Sequence, residues 1–395
     1  MIEVLNIIFI ILFAYTAFGV FYALLFAVAS VFYKDKKYPP TNKKARIAVF
    51  IPGYKEDIII YQVAAHALKQ DYPSELYDVI VIADSFSEQT VAKLKTLPII
   101  VQEVSFDKST KAKSLNKVMG ILEEKYDIAV VLDADNLMKE NVLKKVNEAF
   151  QNGEKAIQCH RTAKNLDTNF AKLDALSEEI NNSIFRRGHI AIGMPSALIG
   201  SGMAFDYLLY KRVMKTIDVV SGFDKELEIK LLKMGIKVDF IEDAIVLDEK
   251  VQTSEVFQKQ RTRWLAAQVN FAIKYFLMGL WHLITKAKAG LFDKALQFVL
   301  LPRAFALASS VFLLVVAFFM GNWLFIWASM ALVGAFILAM LLAIPKYFLN
   351  ADMFKAMMQL PKAITKLLFS FLKISKAKDS FIHTPHTHIH PEEEK

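Results

Sequence analysis

The stretch Ile128-Ala129-Val130-Val131-Leu132-Asp133-Ala134-Asp135 decides the fold and points to the chemistry. Its first five residues are apolar and largely β-branched, which predicts a buried strand. The strand ends in two carboxylates separated by one residue, and such a pair at the mouth of a sheet can grip a divalent cation. Carboxylate oxygens suit Mg²⁺ or Mn²⁺, ions that usually keep open positions for phosphate oxygens, so a phosphorylated substrate is implied. The same pair also fits a solvated turn or a helix cap, and the rest of the chain has to separate the two readings.

On the N-terminal side, β-rich runs at 47–51, 79–83 and 99–104 alternate with helical patterns at 58–70, 88–94 and 111–124. That alternation predicts an α/β domain around a largely parallel sheet. Ligands of such sheets bind beyond the carboxyl ends of the strands. Tyr54 and Glu56 follow the first strand, Asp84 the second, and Asp133 and Asp135 the fourth, so all five are expected to line one cleft. Residues 156–248 mix short strands with helices and carry Gly200-Ser201-Gly202; they are expected to complete that cleft and not to form a second domain.

Of the 395 residues, 54% are hydrophobic and the mean hydropathy is +0.32, above that of an ordinary soluble domain. Residues 4–33, 295–320 and 323–344 each meet or exceed the roughly 20 residues needed to span a bilayer. The first is preceded by Glu3 and runs into Lys34-Asp35-Lys36-Lys37, which fits a retained anchor better than a cleaved signal peptide. Lys34, Lys36, Lys37, Lys286, Lys288, Lys294 and Lys346 flank the spans on one side. The chain is therefore expected to be an integral protein of the plasma (inner) membrane with residues 34–294 in the cytoplasm. Residues 251–294 and 361–378 are amphipathic and basic, expected to lie along the membrane surface against its lipids. The net charge of +8 then needs no nucleic acid, and Cys159, the sole cysteine, excludes intrachain disulfides and cysteine-based zinc sites. The expected organisation is an anchor at 1–33, a catalytic domain at 34–250, interfacial helices at 251–294, two spans at 295–345, and an amphipathic helix with a polar tail at 346–395. His383, His386, His388 and His390 fall in that tail.

Several motifs occur in one order: Pro52-Gly53-Tyr54-Lys55-Glu56, Asp84, Lys111-Ala112-Lys113, Asp133-Ala134-Asp135, Gly200-Ser201-Gly202, acids from Asp224 to Glu228, and Gln260-Arg261-Thr262-Arg263-Trp264. Together they resemble the membrane-bound family 2 glycosyltransferases, among them cellulose and hyaluronan synthases and ceramide glucosyltransferase. The resemblance implies a GT-A catalytic domain, Rossmann-like and built for nucleotide-diphospho-sugars, flanked by transmembrane and interfacial helices. It implies transfer from a nucleotide sugar with inversion at the anomeric carbon, assisted by Mg²⁺ or Mn²⁺. The donor is expected to be a UDP-sugar, with a GDP-sugar as the alternative.

By that resemblance, Pro52, Tyr54, Glu56 and Asp84 would hold the nucleotide base and ribose, and Lys113 or its competitor Lys111 would meet the donor phosphates. Asp133 would contact the donor, and Asp135 together with Asp133 would hold the metal. Gln260 and Arg261 would cover the mouth of the donor cleft, while Arg263 would stabilise the leaving diphosphate, since a guanidinium engages phosphate in a bidentate way. Gly200, Ser201, Gly202 and Trp264 would line the acceptor. Alignment of Lys225-Glu226-Leu227-Glu228 with the family's acidic tripeptide puts Glu226 first as catalytic base and Asp224 second. The chain departs from the family pattern here, where aspartate preceded by glutamate is usual.

Three spans are few for one chain to enclose a polysaccharide channel, so a lipid or short glycan acceptor is favoured. Processive synthesis by a homo-oligomer, or a non-catalytic nucleotide-binding scaffold, are the alternatives. No Gly-x-Gly-x-x-Gly follows the first strand, which counts against a dinucleotide oxidoreductase.

Overall fold

The computed structural model describes residues 2–359 and residue 365; apart from residue 365, the amphipathic stretch at 361–378 lies outside the described residues, as does the histidine-rich tail. Eight strands, β1 (Ile47–Tyr54), β2 (Tyr77–Asp84), β3 (Ile100–Val104), β4 (Ile128–Val131), β5 (Leu137–Met138), β6 (Ala156–Ala163), β7 (Met203–Asp206) and β8 (Asp239–Asp248), form one sheet in the order β3-β2-β1-β4-β7-β6-β8-β5. The helices of the first half are α1 (Ile2–Val31), α2 (Ile60–Ala67), α3 (Glu88–Leu94), α4 (Lys111–Ile121) and α5 (Val142–Gln151). Then come α6 (Asn169–Asn182), a π-helical turn (Ser183–Gly188), α7 (His189–Ala191), α8 (Tyr207–Met214), α9 (Phe223–Lys233) and α10 (Ser254–Lys286). The last four are α11 (Ala289–Gln297), α12 (Arg303–Met320), α13 (Trp323–Ala343) and α14 (Ala351–Met357).

Side chains alternate across β1. Ile47, Val49 and Ile51 pack with Ile60, Val63 and Val146 on one face, while Ala48 and Phe50 pack with Leu115, Val118 and Leu227 on the other. Burial on both faces explains why the strands read as unbroken apolar runs. The expected parallel arrangement holds for β3-β2-β1-β4. The sheet as a whole is mixed, because β7 runs antiparallel to both β4 and β6. That reversal has a purpose in the geometry: it pairs Met203, at the start of β7, with Val131, at the end of β4, and so delivers the glycine turn to the mouth of the sheet.

Three helices, Glu3–Val31, Arg303–Met320 and Trp323–Ala343, are long and apolar enough to cross a membrane. They pack together: Phe9 stacks on Phe325 with ring centroids 4.4 Å apart, and the Thr16 and Ser309 hydroxyls lie 2.7 Å apart. The span expected at 295–320 is two elements. Pro302, which has no N–H to continue a helix, separates α11 from α12, and Asp293 and Lys294 of α11 are buried against the body of the protein, not exposed to lipid.

The body and α1 are joined by a buried polar cluster. Tyr22 of α1 donates to Asp293 (2.8 Å), Gln297 donates to the same carboxylate (2.9 Å), and His189 Nε2 lies 3.1 Å from its other oxygen. Beside it, Gly188 faces α1 so closely that a Cβ there would lie 2.2 Å from the carbonyl oxygen of Phe26. Both backbones would have to shift to admit a side chain. Gly188→Ala is expected to lower stability by about 1–3 kcal/mol, read as a reduced unfolding midpoint of the detergent-solubilised full chain.

Candidate active site

The carboxyl ends of the strands set the site. Tyr54 and Asp84 are partners in the β1–β2 register, so these two residues end neighbouring strands at one level. Lys55 and Ser85, the residues just beyond, both adopt left-handed backbone (φ 56° and 61°), a conformation that non-glycine residues hold only where the surroundings impose it. The Asp84 carboxylate is buried and accepts from Ser85 Oγ (3.1 Å) and Ser114 Oγ (3.3 Å). Pro52 lies within β1, and Glu56 is buried just past its end.

Beyond β4, the chain turns through Asp133 and Asp135, and β8 ends beside them at Asp248. Single carboxylate oxygens of these three residues lie within 4.8 Å of one another. The Glu249 amide donates to Asp135 (2.8 Å), and Asn136 Nδ2 bridges Asp135 (3.3 Å) and Asp248 (3.0 Å). The donor set is all oxygen, which fits Mg²⁺ or Mn²⁺ and not a thiophilic ion.

Such a concentration of negative charge persists because cations surround it. Lys111, the first residue of α4, donates to Asp133 Oδ1 (2.5 Å), Leu132 O (2.9 Å) and Gly200 O (2.8 Å). Arg161, on β6, donates to Glu178 (2.7 Å) and Ser201 Oγ (3.0 Å), and pairs with Asp248 (3.3 Å) and Asp133 (3.7 Å). Lys250 pairs with Asp248 (2.7 Å) and with Glu178. Burial pushes the Asp133 carboxyl upward, but the Lys111 ammonium and Arg161 guanidinium outweigh it and hold the group below the usual carboxylate range.

Helical geometry sorts the competing residues. Positions two apart lie about 200° around a helix, so Lys111 and Lys113 cannot face one cleft together. Lys111 enters the carboxylate cluster, and Lys113 donates instead to the Lys108 carbonyl (3.1 Å) on the exposed side. The same separation divides Asp224 from Glu226 on α9. Glu226 is buried against α10, where it accepts from Lys274 (3.0 Å) and Tyr275 and pairs with Lys230 (3.6 Å). Asp224 instead stands over the glycine turn: a Cβ added to Gly200 would lie 3.8 Å from its Cγ. Gly200 and Gly202 have φ of 92° and 59°, backbone that favours glycine, and Ser201 between them is fully buried against Arg161, turned inward and not toward the open cleft.

On α10, Arg263 is largely buried, with its Nε lacking a hydrogen-bond partner among the described residues. Burial draws its guanidinium below the usual range, and Asp133 partly offsets this. Arg261 is turned away, with Nη2 donating to Asp174 (2.7 Å) on α6 and its plane over the Trp264 ring (4.6 Å). Gln260 keeps a buried side-chain oxygen without a partner, and Trp264 is 40% exposed. The structure thus brings together Lys111, Asp133, Asp135, Gly200 and Asp224, while Lys113 and Glu226 lie outside this group.

Sequence reasoning missed Asp248, Arg161, Lys250 and Glu178. Asp248 had a weak signal, since like Asp133 it closes an apolar strand. Its arrival beside Asp135 depends on the pairing of β8 with β5, where Leu247 meets Leu137, and no local pattern encodes that.

Three acids at the carboxyl ends of the strands, with basic groups around them, are suited to a divalent ion and the phosphate oxygens such an ion binds. Residues 45–267 match the family model described as "Glycosyltransferase like family 2", and the chain belongs to the family 2 glycosyltransferases. It is 24% identical over 243 residues to the probable glycosyltransferase YdaM of Bacillus subtilis, covering 58% of this chain and 57% of that protein. It is also 24% identical over 279 residues to the beta-monoglucosyldiacylglycerol synthase of Synechocystis, covering 66% of this chain and 55% of that protein. The chain therefore spans somewhat over half the length of these relatives. A solved mannosyltransferase of Pyrobaculum calidifontis, PcManGT in complex with GDP-Man and Mn²⁺, is similar with a TM-score of 0.61 and 17% identity over 92% of this chain and 98% of that one. The fold is accordingly GT-A.

Proposed function

We propose that the protein transfers a sugar, with inversion, from a nucleotide diphosphate donor to a lipid hydroxyl at the cytoplasmic face of a membrane. The observation that carries this reading is the clustering of Asp133, Asp135 and Asp248, with Lys111 joining Asp133 to the Gly200 turn that Asp224 also approaches. Tyr54 and Asp84 hold the nucleoside end of the donor. Asp133, Asp135 and Asp248 would hold the divalent ion that the diphosphate requires, Arg263 would supply donors to the phosphate oxygens, and Lys111, whose three N–H groups are already engaged, would add positive charge beside them. A bound Mg²⁺ or Mn²⁺ contributes positive charge where the leaving group becomes negative.

Asp224 takes the proton from the acceptor hydroxyl as its oxygen attacks the anomeric carbon. The bond from that carbon to the diphosphate oxygen breaks on the opposite face, which inverts the configuration. A UDP-sugar is the favoured donor and a GDP-sugar the second. The monoglucosyldiacylglycerol synthase relatives and the three long apolar helices support a lipid acceptor. The exposed line Ile273, Leu277, Trp281 and Ile284 along α10 supports contact of that helix with the membrane surface.

The test is product analysis by mass spectrometry after the purified chain meets UDP- and GDP-sugars, Mn²⁺ and a lipid extract. A glycosylated lipid is expected, lost with chelator and reduced by about 100-fold or more in Asp135→Asn. No product with any donor, or full activity in Asp135→Asn, overturns the reading.

A further inference from the structure

Where α6, α10 and α12 meet, two guanidinium groups converge on one hydroxyl. Arg303, the first residue of α12, donates through Nη2 to Ser177 O (2.9 Å) and Ser177 Oγ (2.8 Å). Arg261 donates through Nη2 to the same Oγ (3.4 Å) and to Asp174 (2.7 Å). Asp174 is the one carboxylate in this group, and among the described residues Arg303 has no ion pair. Among those residues one positive charge is thus left without a counter-ion, and two donors, Arg303 Nη1 and Arg261 Nε, are buried without a hydrogen-bond partner. Buried donors of this kind are costly to leave unmet, so their clustering points to an absent acceptor that carries negative charge.

Two features identify the acceptor's chemistry. Guanidinium forks match the oxygens of a phosphate. Arg303 also sits at the first turn of a helix long and apolar enough to cross a membrane, and the half-exposed Trp264 lies over Arg261, as interfacial aromatics do. That is the level of lipid headgroups, and basic pockets between spans bind them. The pocket faces away from Arg263, the residue proposed to meet the donor: Arg261 donates to Asp174 and Ser177 of α6 and lies two residues, about 200°, around α10 from Arg263.

We propose that Arg261 and Arg303 form a receptor for the phosphate of a membrane lipid, held beside the catalytic cleft. This rests on the membrane part of the function proposed above, but not on sugar transfer itself.

The test uses the full chain in maltoside micelles, with the unfolding midpoint and lipid retained in native mass spectra as readouts. Three additions are compared: phosphatidylglycerol, diacylglycerol and inorganic phosphate. Phosphatidylglycerol alone is expected to be retained and to stabilise, and Arg303→Gln is expected to weaken that binding by about tenfold or more while nucleotide binding with Mn²⁺ is unchanged. Equal stabilisation by diacylglycerol shows that acyl chains suffice, and equal stabilisation by inorganic phosphate shows a free-anion site; either overturns the proposal. Undiminished lipid retention in Arg303→Gln does so as well. If that variant does not fold, the three-way comparison on the unaltered chain still decides. Loss of transfer activity with lipid binding intact would count against the enzymatic reading and leave the pocket standing.

Discussion

Asp224→Asn is expected to cut sugar transfer by about 100-fold or more while nucleotide affinity in the presence of Mn²⁺ stays near that of the unaltered chain. The amide is isosteric with the carboxylate and cannot take a proton, so the loss falls on turnover and not on donor binding. Glu226→Gln is expected to behave differently. Its carboxylate is committed to Lys274 and Tyr275 of α10, and the change removes a structural tie with far less effect on turnover. Steady-state kinetics on both variants, with donor affinity measured separately, checks the assignment. If Glu226→Gln gives the large loss of turnover and Asp224→Asn a small one, the base is misassigned.

The second large effect is expected at Arg161. Its guanidinium touches Glu178 and Ser201 and pairs with Asp248 and Asp133, and its side chain is only 10% exposed. Arg161→Gln leaves three acids facing one another with one fewer cation among them. Removing one partner of a buried pair typically costs about 3–5 kcal/mol, so a large fall in the unfolding midpoint is expected. Mn²⁺ is expected to recover part of that fall by adding positive charge to the same carboxylates. A midpoint unchanged by the substitution would show that the cluster does not depend on Arg161.

How much of this was legible in the residues follows from the range of the interactions involved. β1 to β4 could be read because alternation and strand-end acids are local patterns. So could Asp133 and Asp135, which sit where a strand has just ended. The choice between Asp224 and Glu226 was not legible. Phe223, Leu227 and Leu231 mark the core face of α9, but they do not say which flank of that face looks into the cleft. Lys111 and Lys113 posed the same problem on α4, and the fold placed the first of them in the site. Asp248 and Arg161 enter through pairings between distant strands, which no short window contains. The long apolar run at 295–320 concealed a break because Pro302 is itself compatible with hydropathy, while the inward turn of Asp293 and Lys294 depends on partners far away in the chain.

The peptide at Leu198, two residues before the glycine turn, is held from both sides: its amide donates to Glu228 (3.0 Å) and its carbonyl accepts from Lys225. Glu228 is in turn paired with Lys294 at 2.9 Å, both side chains being almost fully enclosed. Burial pulls the Lys294 ammonium down to about 8, with Glu228 opposing the shift. A shortened version ending where the family match ends, at residue 267, would keep every acid of the cleft and yet strand Glu228 without its cation. Crystallisation or screening campaigns that trim this molecule to a water-soluble piece would therefore be working with a slackened glycine loop.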